Sequence, residues 1–297
     1  MSQTALERAT VSLEGLSVAD AFGEQLLHCG PYERADAVAD RVTPRRRPWM
    51  WTDDTAMAVS IVEELAAGGA IDAAALARRF GRRYLADPAR GYGRGAHEIL
   101  QAIATGAPYE AAAAAVFRGE GSCGNGGAMR SAPIGAYFAG DLDAAVAHAR
   151  RSAAPTHAHP DGAAGAIAVA VAAAAAFGGE RDPRALLETV VARTPAGPTC
   201  EGLRRAITML RAEPITVAAE LGNGSRVLSA DTVPFAVWCA AVHLADYAGG
   251  LWACASVGGD IDTTCAMVGG IVAGAVGLAG IPEAWRAARE PLRRDEV

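Results

Sequence analysis

Gly258-Gly259-Asp260-Ile261-Asp262-Thr263-Thr264 sets two carboxylates and two threonine hydroxyls within seven residues. It lies between apolar Leu251–Val257 and the uncharged run Cys265–Ile281. Carboxylates are costly to bury unless something neutralises them. For an oxygen-only donor set the matching neutraliser is a hard divalent cation such as Mg²⁺, Mn²⁺ or Ca²⁺. A second knot, Trp51-Thr52-Asp53-Asp54-Thr55, stands about 200 residues earlier and carries the same chemistry. One helix cap needs a single Thr or Asp, and this knot offers four such residues in a row. The two knots are therefore expected to meet in space around metal.

Other residues have types suited to a site beside that cluster. Asp20 shares a helical face with Leu13 and Leu16, and Glu24 follows one turn later. An acid on the apolar side of a helix is a better site candidate than one on the wet side. Two glycine-rich stretches, Gly91-Tyr92-Gly93 with Gly95, and Gly119 to Gly127 with Ser122 and Asn125, let backbone N–H groups approach an anion. A glycine-rich connector is the blander reading of the first. The second stretch lacks the Gly-Lys-Ser/Thr of a Walker loop and the preceding strand of a dinucleotide-binding turn. His157 and His159 form an H-x-H pair. Zinc would require further His or Cys partners, and the other histidines are scattered at 28, 97, 148 and 243. Substrate contact or helix entry is the better assignment for this pair.

The elements that must position these groups read as helices throughout. A helix is expected over about residues 4–28, with Gly15, Ala19 and Gly23 forming a strip of small residues where another backbone can come close. The Trp51–Thr55 knot opens a second helix, with Ala58, Ile61, Val62 and Leu65 at helical spacing, closed by Gly68-Gly69. Asp72 caps a helix bearing Leu76, Phe80 and Tyr84, and His97–Ala104 and Ala144–Ser152 continue the pattern. Thr232 with Pro234 marks a helix start, and that helix is expected to run to about Tyr247. Connectors at Thr194–Pro198 and Leu221–Ser225 are short. The β-branched alternation of strands is nearly absent. The expectation is one all-α, compact single-domain bundle spanning residues 1–297.

Composition bounds the function. Hydrophobic residues make up 51% and charged residues 20%, as in a globular chain. A net charge of −6 argues against broad electrostatic binding to nucleic acid, and Arg45-Arg46-Arg47 reads as a solvated loop. Gly162–Gly179 and Cys265–Ile281 approach membrane-spanning length, but they are mostly Ala, Gly and Val without basic or aromatic flanks. Buried core helices are the expectation, with no membrane partner. The N-terminus lacks the build of a signal peptide. Six cysteines without a C-x-x-C pair suit a reducing cytoplasm.

Taken in order, these blocks make the chain resemble the ADP-ribosylglycohydrolase family over nearly its whole length. Gly15-Leu-Ser-Val-Ala-Asp20-Ala-Phe-Gly23 is similar to the N-terminal Gly-Asp-Ala-x-Gly block, and Trp51–Thr55 to the Thr-Asp-Asp metal motif. Gly91-Tyr-Gly93, Gly124-Asn-Gly-Gly-Ala-Met-Arg130, His157-x-His-Pro160 and Gly259-Asp-Ile-Asp-Thr263 follow in family order. The resemblance implies an all-α fold and metal-dependent hydrolysis of a glycosidic bond of ADP-ribose. The substrate would be an ADP-ribosylated protein or a small ADP-ribosyl compound, with nucleic acid entering only as an ADP-ribosylated end. It further implies that Thr52, Asp53, Asp54, Asp260, Asp262 and Thr263 ligate two Mg²⁺ or Mn²⁺ ions. The loops carrying Gly91, Tyr92, Gly93, Ser122, Gly124, Asn125, Gly126 and Met129 would hold the diphosphate and distal ribose, and His157 would orient the proximal ribose.

Three positions depart from the family pattern. Ala19 replaces a glycine before Asp20, and Ile261 replaces a threonine between the two aspartates. Leu27 stands where well-studied members carry a glutamate seven residues after the Asp20 position. Glu24 is therefore nominated, with Asp20, as the catalytic carboxylate of this helix. Two rival readings are weighed against this one. Asp260-Ile-Asp262-Thr-Thr264 also fits the D-x-D-x-T nucleophile motif of haloacid-dehalogenase-like phosphatases. Only residues 265–297 follow it, too few for a doubly wound sheet. A non-catalytic ADP-ribose-binding or structural relative is the alternative that Leu27 raises.

Overall fold

The first helix, Ala5–Leu27, starts on a capping box in which Thr4 and Glu7 satisfy each other's backbone N–H groups. In the computed structural model, which describes residues 3–292, this helix lies against Ile261–Val276, the helix that leads out of the second acidic knot. The strip of small residues sets that approach. A Cβ on Gly15 would lie 2.4 Å from the carbonyl oxygen of Gly269, and one on Gly269 would lie 2.4 Å from the Ala19 side chain. A Cβ on Gly23 would meet the backbone of Ile261 and Asp262 at 2.6–2.8 Å. Ser12 Oγ donates to Gly270 O at 2.9 Å and Tyr247 Oη to Gly15 O at 2.6 Å, which fixes the register. The spacing read from the sequence thus brings the Asp20 turn beside the Asp262 turn.

Because its obstructing atoms are all backbone, Gly23 is the most sensitive point of this contact. Gly23→Ala is expected to destabilise the protein by about 1–3 kcal/mol through overpacking, measured by urea or thermal denaturation. An unchanged midpoint would show that the two helices are not held at this separation.

Sixteen α-helices and three short 3-10 turns make up the described residues, with no named strand among them; two isolated bridges, Trp49 with Arg289 and Gly124 with Leu228, are the only extended pairings there. The all-α expectation is met. One connected apolar cluster runs from Val18 to Ala288 and contains much of Pro160–Phe177. That helix is long and apolar enough to cross a membrane by length and composition, and 78% of it is buried inside the fold. A cluster of aromatics ties four parts of the chain together. Phe22 stacks on Trp285 at 4.6 Å and meets Trp252 edge-on at 4.8 Å, with Trp49 alongside. The chain therefore enters the first acidic knot from a fixed point at Trp49.

Some boundaries differ from the sequence reading. The helix expected to run to about Tyr247 spans Ser229–Val242, with Pro234 inside it rather than at its start. A new helix, Tyr247–Val257, begins when Asp246 accepts from Gly249 N. The chain turns between them because the Asp246 side chain competes for backbone N–H groups. The helix expected at His97 starts earlier, at Arg94. Pro31–Ala39, Tyr109–Ala115, Ala132–Tyr137 and Glu283–Ala288 are helices that short, Ala-rich or Pro-opened segments did not advertise. Arg45, Arg46 and Arg47 are all exposed.

Candidate metal centre and its flanking loops

The Asp53–Gly68 helix carries its acids at its N-terminus, where the helix dipole favours negative charge. Thr52 is the N-cap, and its Oγ1 accepts from Asp54 N at 3.3 Å. Asp20 reaches the same helix start from the first helix. Its carboxylate accepts from Thr52 N at 3.0 Å, Thr55 N at 3.1 Å, Thr52 Oγ1 at 2.9 Å and Thr55 Oγ1. Asp20 thus closes the turn from outside, and Thr55, not assigned to the site from the sequence, is its partner.

The second knot arrives through Gly258 and Gly259, whose φ values of +66° and +79° are left-handed and suit glycine. Asp260 N donates to Asn223 O at 3.1 Å, and Thr263 Oγ1 donates to Asp54 Oδ1 at 3.3 Å. The two knots do meet. Asp20, Asp54 and Asp262 each offer a carboxylate oxygen, and the three atoms lie within 4.8 Å of one another. Asp20 and Asp54 are fully buried, while Asp53, Asp260 and Asp262 keep some exposure.

This much negative charge in one place changes the acids. Burial, with Asp262 as the repelling neighbour, pushes the Asp20 carboxyl up to about 7, even though Thr52 and Thr55 pull it down. Asp260 is likewise pushed up to about 7 by burial and by Asp262. Asp53 and Asp54 are raised well above the ordinary carboxylate range by burial and then by the other aspartates. Asp262 Oδ1 is buried and has no hydrogen-bond partner among the described residues. Clustered oxygens, mutual repulsion and an unpartnered buried oxygen fit a divalent cation.

The glycine-rich loop at 121–127 is tied to this centre. Asn125 Nδ2 donates to Asp260 Oδ2 at 2.6 Å and stands 3.0 Å from Thr232 Oγ1. Gly124 N donates to Ser122 Oγ, and Asn125 N to Val227 O. Met129 is buried beneath Gly126, its Sδ 3.8 Å from where a Cβ of that glycine would stand. His157 closes one side of the loop, its ring 3.2–3.6 Å from the Cβ positions of Gly124, Gly126 and Gly127. Burial, with Arg130 next, pushes the His157 ring down to about 3, so it is neutral at pH 7. His159 acts elsewhere, its Nδ1 accepting from Asp161 N as the N-cap of Pro160–Phe177. The two histidines therefore serve separate ends.

On the opposite side, Gly91 lies against the first knot, a Cβ there falling 3.7 Å from Asp53 Oδ1. Gly93 caps the Arg94–Ala104 helix in open space. Tyr92 turns inward, 5% exposed and edge-on to Tyr84, so its ring belongs to the wall below the loop. Arg90 carries no signal in the sequence. It pairs bidentately with Glu290 at 2.7 and 2.8 Å, stacks 3.6 Å above the Trp51 ring, and accepts from Asp53 N through its carbonyl. This clamp joins the last described segment to the Thr-Asp-Asp turn.

Glu24 stands apart from the acid cluster. Its Oε1 is 2.8 Å from His28 Nε2, one helical turn away near the surface, and the side chain is 22% exposed. Helical phase puts Glu24 on the Asp20 face, but the side chain points along the helix toward its C-terminus. Leu27 is exposed.

A family model described as ADP-ribosylglycohydrolase matches residues 1–297. The chain belongs to the ADP-ribosylglycohydrolase family. It is 31% identical over 282 residues to the protein named ADP-ribosylhydrolase ARH3 from Homo sapiens, covering 83% of this chain and 76% of that one. The Bos taurus protein of the same name is 31% identical over 280 residues, with the same coverage. A solved structure titled ADP-ribosylglycohydrolase-related protein complex superposes with a TM-score of 0.65 at 25% identity, over 96% of this chain and 93% of that one.

Proposed function

We propose that this chain is a hydrolase that cleaves the glycosidic bond between ADP-ribose and an acceptor, releasing free ADP-ribose. Two divalent cations, Mg²⁺ or Mn²⁺, would be held by Thr52, Asp53, Asp54, Asp260, Asp262 and Thr263. The observation that carries this reading is the convergence of the Asp20, Asp54 and Asp262 oxygens, with Asp262 Oδ1 unpartnered, beside a glycine loop fastened to Asp260 by Asn125. The likeness to ADP-ribosylhydrolases supports the substrate class, and the oxygen-only donors support the choice of cation. When bound, such ions can hold ribose hydroxyls, orient a water and lower its pKa.

The remaining chemistry belongs to the chain. Asp20 keeps the Thr52–Thr55 turn in place and faces the cluster. The loops at Gly91–Gly93 and Ser122–Met129 take the diphosphate and distal ribose, and His157 faces the proximal ribose. Water adds at the anomeric carbon and the acceptor leaves, through an oxocarbenium-like transition state. We place the reaction in the cytoplasm, a reading supported by six free cysteines.

Glu24 is the carboxylate we assign to proton transfer, which requires it to exchange His28 for substrate. Glu24→Gln is expected to lower turnover by roughly 10²–10⁴-fold while ADP-ribose affinity changes far less. Near-normal turnover in that variant would reduce Glu24 to the surface partner of His28. The exposed Leu27 and the Glu24–His28 pair favour one second reading, a relative that binds ADP-ribose without turning it over. A panel of arginine-, serine- and threonine-linked ADP-ribosyl proteins, ADP-ribosylated nucleic-acid ends and small ADP-ribosyl compounds separates the two. Free ADP-ribose released from at least one of them in Mg²⁺ or Mn²⁺ supports the enzyme. Binding of ADP-ribose with no release from any of them supports the second reading.

A further inference from the structure

Arg130 is a cation almost sealed from solvent, 1% exposed, lying behind the glycine loop. Its guanidinium sits 4.5 Å from the Phe80 ring centre, and its Nη2 donates to Ser152 O and to Thr156 Oγ1, each at 2.8 Å. The same Thr156 oxygen is 2.7 Å from His157 Nδ1. These three groups form a chain whose hydrogen-bond direction can be worked out.

A guanidinium has donors and no acceptor, so Thr156 Oγ1 accepts from Arg130. The hydroxyl then has one proton left to give, and Thr156 is buried. Among the described residues, His157 Nδ1 is the only further hydrogen-bond partner of that hydroxyl. If Nδ1 carried a proton, the hydroxyl would be left with a desolvated, unsatisfied O–H, which native interiors avoid. The hydroxyl therefore donates to Nδ1, and a neutral ring must carry its proton on Nε2.

The Nε2 edge is where the protein has made room. A Cβ on Gly126 would come within 3.2 Å of His157 Cε1 and 3.4 Å of Nε2, and one on Gly124 within 3.6 Å of Nε2. Neither glycine has a positive φ, so the missing side chains serve clearance and not backbone conformation. Nε2 makes no hydrogen bond to any described residue and is not sealed from solvent as the buried orphans are. It is an open donor at the loop.

We infer that Arg130 and Thr156 are positioning residues that fix His157 as an Nε2–H donor, aimed at an acceptor oxygen of the ligand held by the glycine loop. The identity of that ligand as an ADP-ribosyl group rests on the function proposed above; the tautomer does not. The arrangement makes His157 a reader of oxygen acceptors and removes it from proton exchange, which is left to carboxylates.

The test uses the full-length, Mg²⁺-loaded protein with ¹⁵N-labelled histidine. The His157 ring signals are assigned by their loss in His157→Gln. The wild type is expected to show the proton on Nε2 and a bare Nδ1. Thr156→Val keeps the shape and removes the hydroxyl. It is expected to shift the ring toward the Nδ1–H form and to weaken free ADP-ribose binding by about tenfold. Thr156→Ser is expected to restore both. A wild-type ring protonated on Nδ1 would overturn the inference, as would a Thr156→Val protein with unchanged tautomer and affinity. Equal weakening in the Val and Ser variants would also overturn it, since Ser retains the hydroxyl and its presence would then make no difference. If ADP-ribose fails to bind even the wild type, the proposed ligand is wrong, and the ring signals of the three proteins still decide the relay.

Discussion

Asp262→Asn is expected to make the cation-free protein more stable and the enzyme inactive. The amide keeps the size of the side chain and removes one of several mutually repelling carboxylates. Asp262 is the leading repelling neighbour of Asp20, Asp53 and Asp260. Its charge therefore raises the free energy of the empty fold, and neutralising it relieves that repulsion. The same change removes a donor from the group in which Asp20, Asp54 and Asp262 converge. Cation-induced stabilisation, which follows from binding to the native state alone, is expected to fall sharply. Turnover is expected to drop by at least about 10³-fold, the order implied by losing several kcal/mol of transition-state stabilisation. Thermal unfolding with and without Mg²⁺ or Mn²⁺ reads the first two effects and ADP-ribose release the third. A variant less stable without cation, yet still stabilised by it, would mean that Asp262 is structural.

The second large effect is a reversal in how stability depends on pH. Asp20 and Asp260 titrate near 7 in the cation-free fold, against about 3.9 for an unfolded aspartate. Between those values the folded state binds more protons than the unfolded state, so stability falls as pH rises through the window. The protein in chelator is thus expected to melt several degrees higher at pH 5 than at pH 8. His148, His157 and His243, held below the ordinary histidine range mainly by burial, push in the opposite direction. They do so equally with and without cation, so the difference between the two curves isolates the aspartates. With saturating Mg²⁺ or Mn²⁺ the fall contributed by the cluster should vanish over this window, because a bound cation keeps the folded carboxylates deprotonated, as they already are in the unfolded chain. Parallel curves with and without cation would show that no cation neutralises this cluster.

Both acidic knots are legible in the sequence because each holds more oxygen donors than a helix cap can use. The small-residue strip at Gly15, Ala19 and Gly23 is legible for a similar reason: three small residues four apart leave a groove that only another backbone fills. The remainder of the site depends on contacts between residues far apart in the chain. Asn223 and Gly224 read as a plain connector, yet they wrap Asp260, a Cβ on Gly224 falling 2.6 Å from the Asp260 side chain. Arg130 ends a recognisable block without a role that its neighbours reveal, and Arg90 reads as an ordinary charged residue. Their partners, Thr156 and Glu290, are fixed by packing that no local pattern reports. Glu24 shows the limit from the other side. Helical phase gives the face of a side chain, but the His28 imidazole one turn on decides where the carboxylate points in the free protein.

If Trp51–Thr55 and Gly258–Thr264 together form one oxygen-lined cation site, anomalous scattering from crystals grown or soaked with Mn²⁺ tests it most directly. Two manganese peaks are expected beside the Asp54 and Asp262 carboxylates, with Thr52, Asp53, Asp260 and Thr263 completing the donors and no manganese on His157 or His159. An ordered protein without manganese between the two knots, or with the metal held by the histidine pair, would contradict that assignment.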